Sequence, residues 1–265
     1  SRWDGKNGLK LLQDAALCWE SNPELNSEET AVNLIPEAVA QMASYFMSLS
    51  AEKKIHGVID LGAGTTDISI FMLDEDGCVN WYNAVIEPGG MEKVESAVAG
   101  LLSKGGRSVT YPKLQKAMAE TAHQSPAVRE KVRSQLGEIW EKTRYPAWGP
   151  AYNKNRAEGA WKKDKVKIFV CGGGSNLPYV EEIFGRCWHD VSWGPYEVVR
   201  LHAPLNFKGS PGDFARLSVA YGLTFPRQEL PENKLPKDCP DHTPKVAFVN
   251  TDRDGSWGAV YADNS

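Results

Sequence analysis

Short apolar runs alternate with stretches of helical periodicity along the chain. Four runs rich in Val, Ile and aromatic residues are bounded by glycine, proline or charged residues, and they predict β-strands at 55–59, 68–73, 79–86 and 166–171. A weaker run predicts a fifth strand near 197–201. Because few residues separate the first two strands, the pattern predicts that they form a hairpin-like pair.

Apolar residues recur at a spacing of three or four positions in several other segments. Pro36 suits the first position of a helix, because its missing N–H group needs no partner there. Segment 145–164 is rich in Trp, Pro and Gly and is predicted to be a loop. The predicted helices cover residues 9–20, 36–49, 91–103, 111–121, 126–144, 177–187 and 213–223.

The change in pattern along the chain predicts its organisation. Residues 1–89 and 165–225 carry the strands and are expected to form one core lobe. Residues 90–164 are expected to form a mostly helical inserted subdomain. Residues 226–265 are proline-rich and predict an extended tail, with a possible hairpin near its end.

Composition narrows the classes of partner. The formal net charge of −4 over 265 residues gives no overall basic field, which argues against nucleic acid or an anionic membrane surface. No apolar run reaches the roughly 18 residues of a membrane span. The chain begins without a signal-peptide pattern and without Met, and its five cysteines are scattered. We therefore expect a cytoplasmic protein whose chain is truncated or processed.

The strongest chemical signal is the segment 60–67, which lies at the bend between the first two predicted strands. Glycines in this bend allow backbone N–H groups to approach an anion closely, and the threonines add hydroxyl donors. Asp60 and Asp67 bracket the bend and suit a hydrated Mg²⁺, which prefers carboxylate oxygens and retains water. The alternative interpretation is a tight glycine turn with solvated aspartates.

A second glycine-rich segment follows the strand at 166–171. Three glycines connect this strand to the start of a predicted helix, where a ribose or phosphate can bind. Taken alone, such a run is equally typical of a packing turn. Segments 35–40 and 87–90 are, alone, only a proline-initiated helix and a turn.

In this order, the four segments resemble the second half of the actin-like ATPase superfamily, most closely the DnaK-type heat-shock chaperones. Residues 35–40 are similar to the family's connecting helix E-P-x-A-A-A, and residues 60–67 to its second phosphate loop D-L-G-G-G-T-x-D. Residues 89–90 match the glycine pair that follows, residues 172–178 the adenosine segment G-G-S-T-R-I-P, and residues 220–222 the last connecting helix.

The resemblance covers residues 3–225 and, through Trp3 and the helix at 11–16, suggests a divergent branch of large chaperone-like ATPases. It implies an α/β fold: a ribonuclease H-like C-terminal lobe with a mixed sheet flanked by helices, plus a mostly helical inserted subdomain. It also implies that ATP or ADP binds together with Mg²⁺.

The resemblance implies a role for each matching residue. Asp60 would lie near Mg²⁺ and the attacking water, and Asp67 would assist the metal or water. The β- and γ-phosphates would be cradled by Gly62, Ala63, Gly64, Thr65 and Thr66, and approached from the other side of the cleft by Gly89 and Gly90. Gly172, Gly173 and Gly174 would hold the ribose and α-phosphate, and Glu138 and Lys142 would touch adenosine unless they are simply a solvated helix pair.

Four departures from the family pattern bear on activity. Ile35 stands where the family has its catalytic or water-orienting Glu, and an isoleucine side chain does neither task, although Glu37 lies two residues later. Asn176 replaces an arginine that stacks on adenine, and Ala63 replaces a glycine. The family's first phosphate loop, D-x-G-T-T-x-S, has no copy in the chain. We therefore expect an N-terminal lobe of the same protein as a partner, and the sequence leaves hydrolysis open.

Three functions remain open at this level. The first is an ATP-binding, chaperone-like ATPase that acts on protein clients or with a co-chaperone. The second is a non-catalytic interaction scaffold that uses an exposed Trp-rich surface with Trp140, Trp148 and Trp161, unless these residues form a local packing cluster. The third is a filament-forming or reactivase-type actin-like ATPase.

Overall fold

The computed structural model describes residues 35–103, 125–205 and 207–239, together with the backbone of two strands at 246–248 and 259–261. The predicted helices at 9–20 and 111–121 lie outside the described residues. Contacts within the chain divide it into two units, Ser1–Pro36 and Glu37–Ser265. Every helix and strand described belongs to the second unit.

A six-stranded mixed sheet forms the centre of this unit, in the order β5-β4-β1-β2-β3-β6. Strands β1, β2 and β3 form an antiparallel meander, whereas β4 pairs parallel with both β1 and β5, and β6 pairs parallel with β3. The predicted fold class, α/β with a mixed sheet flanked by helices, is confirmed. The strands are β1 Ile55–Leu61, β2 Thr65–Leu73, β3 Val79–Pro88, β4 Val166–Cys171, β5 Glu197–Arg200 and β6 Asn233–Lys234.

Within the described ranges, five α-helices flank the sheet, and most match their predicted positions. The predicted helix at 177–187 is shorter, because Pro178 and the left-handed Tyr179 (φ 72°) delay its start. A separate antiparallel pair, β7 Val246–Phe248 with β8 Ala259–Tyr261, lies in the tail segment predicted to form a hairpin. The helices are α1 Glu37–Phe46, α2 Met91–Leu102, α3 Pro126–Lys154, α4 Val180–Phe184 and α5 Pro211–Gly222.

Helix α3 corrects the prediction of a loop at 145–164, because it continues to Lys154 through Pro146 and Pro150. Proline at position 150 has no N–H group to donate to the carbonyl of residue 146. The side chain of Asn83 on β3 supplies the missing donor, since its Nδ2 donates to the Pro146 carbonyl at 2.7 Å and to the Ala147 carbonyl at 2.8 Å. A tertiary contact therefore holds a helix that local sequence rules would end.

Replacing Asn83 tests this account of α3. Asn83→Ala leaves two helix carbonyls without their side-chain donor, and we expect it to lower the free energy of unfolding by about 1–3 kcal/mol. Urea denaturation of both proteins measures the difference. Ile86→Thr, at an exposed position of the same strand, is the control and is expected to change stability by less than about 0.5 kcal/mol. Equal losses in both variants would contradict the account.

The tryptophans of this region are buried, contrary to the hypothesis of an exposed partner surface. Trp140, Trp148 and Trp161 retain at most 1% of their surface exposed. The ring of Trp148 lies against Gly57 of β1, where a Cβ atom would be 3.1 Å from it. Trp161 donates through Nε1 to the Asn155 carbonyl at 2.7 Å. The cluster therefore fixes α3 on the sheet and offers no docking surface.

The boundaries predicted for the core lobe, inserted subdomain and tail remain a prediction. Within the described ranges, no helix combines the length and apolarity that crossing a bilayer requires.

Candidate functional site

Asp60 and Asp67 face each other across the β1–β2 hairpin. Strand β2 begins three residues earlier than predicted, so that the pairing extends through Asp60 opposite Asp67 and Leu61 opposite Thr66. The connection is the short bend at 62–64, whose Ala63 and Gly64 are exposed. This register places two carboxylates side by side at the base of the predicted phosphate loop.

The segment that starts at Gly89 supports this bend through its backbone. The N–H groups of Gly89, Met91 and Glu92 donate to the carbonyls of residues 64, 62 and 63, each at 2.9 Å. A Cβ atom on Gly90 would lie 2.3 Å from the Gly62 carbonyl oxygen, so only glycine permits this approach. The glycine pair therefore lies directly against the bend and holds it in place.

The predicted phosphate donors differ in their availability. Thr65 is exposed, and its hydroxyl is 3.4 Å from Asp67 Oδ2. Thr66 is buried, and its hydroxyl donates to the Gly89 carbonyl at 3.0 Å. The Thr66 side chain therefore holds the bend against residues 89–92.

The second glycine segment packs against the first. Gly172 follows β4 with a φ of 78°, and a Cβ atom there would lie 2.2 Å from Asp60 Oδ1. Gly174 donates its N–H to the Leu61 carbonyl at 3.0 Å, and a Cβ on it would meet Met91 Sδ at 2.5 Å. Glycine at these positions lets the chain pass directly over the carboxylate. The two predicted segments therefore form one continuous wall.

These walls enclose an open cavity of about 570 Å³, which is within the size range of small-molecule sites. Four predicted site residues line it: Asp60, Ala63, Gly172 and Gly173. A second side comes from α1 through Glu37 and Gln41, and a third from α5 and the residue before it. Other lining residues include Met91, Glu95, Asn176, Leu177, Ser210, Gly212, Asp213, Arg216 and Val219.

The third side of the cavity is a well-formed helix start that the sequence interpretation did not single out. The Ser210 hydroxyl accepts from the Asp213 N–H at 3.2 Å, and the Ser210 N–H donates to Asp213 Oδ2 at 2.9 Å, which is a capping box. Gly212 lies against Asn176, since a Cβ there would be 2.4 Å from Asn176 Nδ2. The pattern Ser-Pro-x-Asp before an apolar periodic stretch was the signal available for this feature.

Burial and mutual repulsion shape the electrostatics of the aspartate pair. Burial first, and then the charges of Asp60 and Glu37, together raise the pKa of Asp67 to about 6. Burial also raises the pKa of Asp60, Glu37 adds to this, and a hydrogen bond donated by Gln41 Nε2 opposes it. Asp67 Oδ1 is buried and accepts no hydrogen bond from any residue that the structure describes. A cation between these oxygens would relieve both the repulsion and the missing hydrogen bond.

This donor set fits a hydrated Mg²⁺. Within the described ranges, no three or more His, Cys, Asp or Glu side chains converge as metal ligands. Magnesium, however, is typically held by one or two carboxylates together with waters and substrate phosphates. Asp60, which lines the cavity, and Asp67, which pairs with it, satisfy that smaller requirement.

The raised pKa of Asp67 gives a pH-dependent prediction for the ligand-free protein. A folded-state pKa of about 6 against an ordinary value of 3.8 means that the folded state binds more protons, so stability falls as pH rises through this window. We expect Asp67→Asn to raise stability at pH 8 by about 1 kcal/mol, after allowance for solvent screening, and to have little effect near pH 3. Thermal unfolding at both pH values measures this. Asp76→Asn, in an exposed turn, is the control; an Asp67→Asn protein less stable than wild type at pH 8 would contradict the prediction.

Glu138 and Lys142 lie away from the cavity. Lys142 Nζ is 3.9 Å from Glu87 Oε1, and Glu138 Oε1 accepts from Gln135 Nε2 at 3.0 Å. Both residues border a shallow depression of about 10 Å³ next to Gly89. The structure therefore places this predicted adenosine-binding pair beside Gly89 and outside the lining of the cavity at Asp60.

Neither a protein-family model nor a curated protein matches the chain. Several solved structures are similar in fold at low identity. A non-polymerisable quadruple mutant of the ParM protein pCBH ParM is 18% identical, with 75% of this chain and 56% of that chain covered and a TM-score of 0.46. An archaeal actin homologue in complex with ADP is 18% identical, with 73% and 56% covered and a TM-score of 0.47.

A PilM–PilN complex of type IV pilus biogenesis is 16% identical, with 72% of this chain and 52% of that chain covered and a TM-score of 0.49. The chain spans about half the length of these structures. They identify no family for this chain.

Proposed function

We propose that this chain is a nucleotide-binding lobe of an actin-like ATPase and that it contributes half of a site for Mg²⁺ with ATP or ADP. One observation carries the proposal: the two glycine-rich segments, distant in sequence, border one cavity with Asp60 between them. Two independent packing turns would have no reason to meet over a carboxylate. The ordered resemblance of the four sequence segments supports the same function.

Different residues of the cavity would bind the phosphates, the metal and the sugar of the nucleotide. The exposed bend at 62–65 is free of bulky side chains and gives a phosphate close access to the backbone. Asp60 and Asp67 would hold Mg²⁺, which when bound neutralises phosphate charge and orients the phosphate oxygens. Gly172 packs directly against Asp60, and Gly173 lines the cavity without a side chain, which leaves that space to the sugar. Because carboxylates dominate the cavity lining, the chain needs this metal to hold a polyphosphate.

Hydrolysis requires groups on both sides of a transferred phosphoryl group. We propose that an N-terminal lobe of the same protein supplies the other side. Ile35 offers no carboxylate at the family's usual position, whereas Glu37 lines the cavity and its charge acts on both aspartates. Glu37 is therefore the residue of α1 that we propose for orienting water, if the complete protein turns ATP over.

The resemblance to DnaK-type chaperones favours a chaperone-like role on protein clients, in a cytoplasmic setting. This finer assignment rests on the sequence segments alone. The rival scaffold function loses its suggested docking surface, because the three tryptophans are buried. Sedimentation of the protein with nucleotide at several protein concentrations distinguishes a filament-forming ATPase from a chaperone-like one, because only filament formation depends on protein concentration in this way.

Calorimetric titration of ATP into the full-length protein tests the proposal. We expect a dissociation constant below about 1 mM with Mg²⁺, weakened at least about tenfold by EDTA. Magnesium-independent binding of equal strength would remove the proposed role of the aspartates. The absence of measurable binding at millimolar Mg-ATP would overturn the proposed function altogether.

A further inference from the structure

Arg216 is the one cation among the described residues that line the cavity. Among the described lining residues, the charged side chains are the carboxylates of residues 37, 60, 95 and 213 and the guanidinium of Arg216. Arg216 projects from the exposed side of α5, three residues after Asp213, the last residue of the capping box. Among these described residues, a polyphosphate that enters the cavity meets one fixed positive charge, that of Arg216.

The guanidinium reaches across to the second glycine segment. An ideal Cβ on Gly173 would lie 3.3 Å from Arg216 Nη2, 3.4 Å from Nε and 3.8 Å from Cζ. The Nε–Nη2 edge, which carries two parallel N–H donors, therefore lies against Gly173. This edge is the one that binds a phosphate through two hydrogen bonds.

The donors of Arg216 are not committed to a carboxylate in the described part of the chain. Asp213, one turn earlier on α5, has its Oδ2 occupied by the N–H and hydroxyl of Ser210, at 2.9 Å and 2.7 Å. The hydrogen bonds from Ser210 are the main cause of the lowered pKa of Asp213, and the charge of Arg216 lowers this pKa less than they do. Because no described carboxylate pairs directly with it, the Arg216 guanidinium is available for an anionic ligand in the cavity.

Asn176, on the same side of the cavity as Arg216, carries no charge. Asn176 occupies the position where the sequence resemblance implies an arginine, and its amide packs against Gly212 at the start of α5. The glycine-rich segment after β4 therefore contributes no cation to this wall of the cavity, whereas α5 contributes Arg216.

We propose that Arg216 binds the phosphate of the nucleotide that lies next to the ribose, over Gly173. This inference rests on the proposed function, since it concerns the same cavity. Arg216 then balances the α-phosphate, while the metal held at Asp60 and Asp67 balances the terminal phosphates. Arg216 is a binding residue that sets the requirement for a phosphorylated nucleoside.

Binding of ADP, AMP and adenosine to full-length Arg216→Ala and wild-type protein tests this assignment. Loss of a two-donor, charge-assisted contact is expected to weaken ADP and AMP about tenfold to a hundredfold, and adenosine less than about twofold. Arg216→Lys keeps the charge but not the paired donors, and we expect it to recover part of the loss. Arg227→Ala, an exposed arginine outside the cavity lining, is the matched control and is expected to bind like wild type.

A second readout is the dependence on ionic strength. The ADP affinity of the wild type should fall between 50 and 300 mM salt more steeply than that of Arg216→Ala, because an exposed charge pair is screened by salt. Equal ADP affinity in the Arg216→Ala and wild-type proteins would overturn the inference and leave the proposed function standing. Equal losses for adenosine and ADP would overturn it in favour of a contact to the nucleoside. A wild-type protein that binds none of the three ligands would overturn both.

Discussion

The substitution Gly222→Ala, which adds a single methyl group, should strongly destabilise the folded protein. Gly222 is the last residue of α5 and lies against α1, where its Cβ would be 1.8 Å from the Ala40 carbonyl oxygen, 2.4 Å from its carbonyl carbon and 2.6 Å from its Cα. These are backbone atoms of a helix, which cannot rotate aside as a side chain can. The two helices must therefore separate, and we expect a loss of more than about 3 kcal/mol in the free energy of unfolding.

The consequence reaches the cavity, because both helices contribute to its walls. Glu37 and Gln41 come from α1, whereas Asp213 and Arg216 come from α5. Urea denaturation measures the loss, and Gly137→Ala is the control, since Gly137 lies in α3 and an added Cβ meets no atom within 4 Å. Alanine at that helical position is expected to stabilise by up to about 1 kcal/mol. Similar stability of the Gly222→Ala and wild-type proteins would show that α1 and α5 do not pack this closely.

Asp60→Ala should abolish magnesium-dependent nucleotide binding while leaving the fold intact. Asp60 is the aspartate that lines the cavity, and its partner Asp67 alone offers one carboxylate to the metal. We expect the dissociation constant for Mg-ATP to rise about a hundredfold or more, as for loss of a residue that holds a metal. Because burial raises the pKa of Asp60, its ionised form costs stability, and the variant should unfold at the same or a higher temperature than wild type at pH 8.

The combination of the two readouts separates a binding role from a structural one. A variant that loses both binding and thermal stability would point to a packing role for Asp60 instead. Asp164→Ala, in an exposed stretch before β4, is the matched control and should change neither quantity. Unchanged Mg-ATP affinity in Asp60→Ala would remove the metal site from this position.

Local sequence pattern was sufficient for the strands that carry the site. The apolar runs before and after residues 60–67 and before Gly172 have no competing helical periodicity, so a strand forms at each of them, although β1 and β2 extend two and three residues further into the segment 60–67 than predicted. Glycine at 90, 172 and 174 was also informative, because the neighbouring atoms are so close there that an added Cβ atom would lie less than 3 Å from them.

Features that depend on distant contacts escaped the sequence interpretation. The extension of α3 beyond Pro146 depends on Asn83, which lies on another element, and no local rule reveals that donor. The burial of Trp148 depends on Gly57 in the same way. Arg216 looks like an ordinary solvated helix residue in the sequence; only the fold places it over Gly173.

The central claim is that the cavity between the two glycine-rich segments is the nucleotide site of this protein. A crystal structure of the full-length protein with Mg²⁺ and ADP tests it most directly. We predict phosphate density between the bend at 62–65 and Gly173, with the metal held by Asp60 directly at roughly 2.1 Å or through one of its waters. A nucleotide bound elsewhere on the protein, with this cavity empty at saturating Mg-ADP, would contradict the claim.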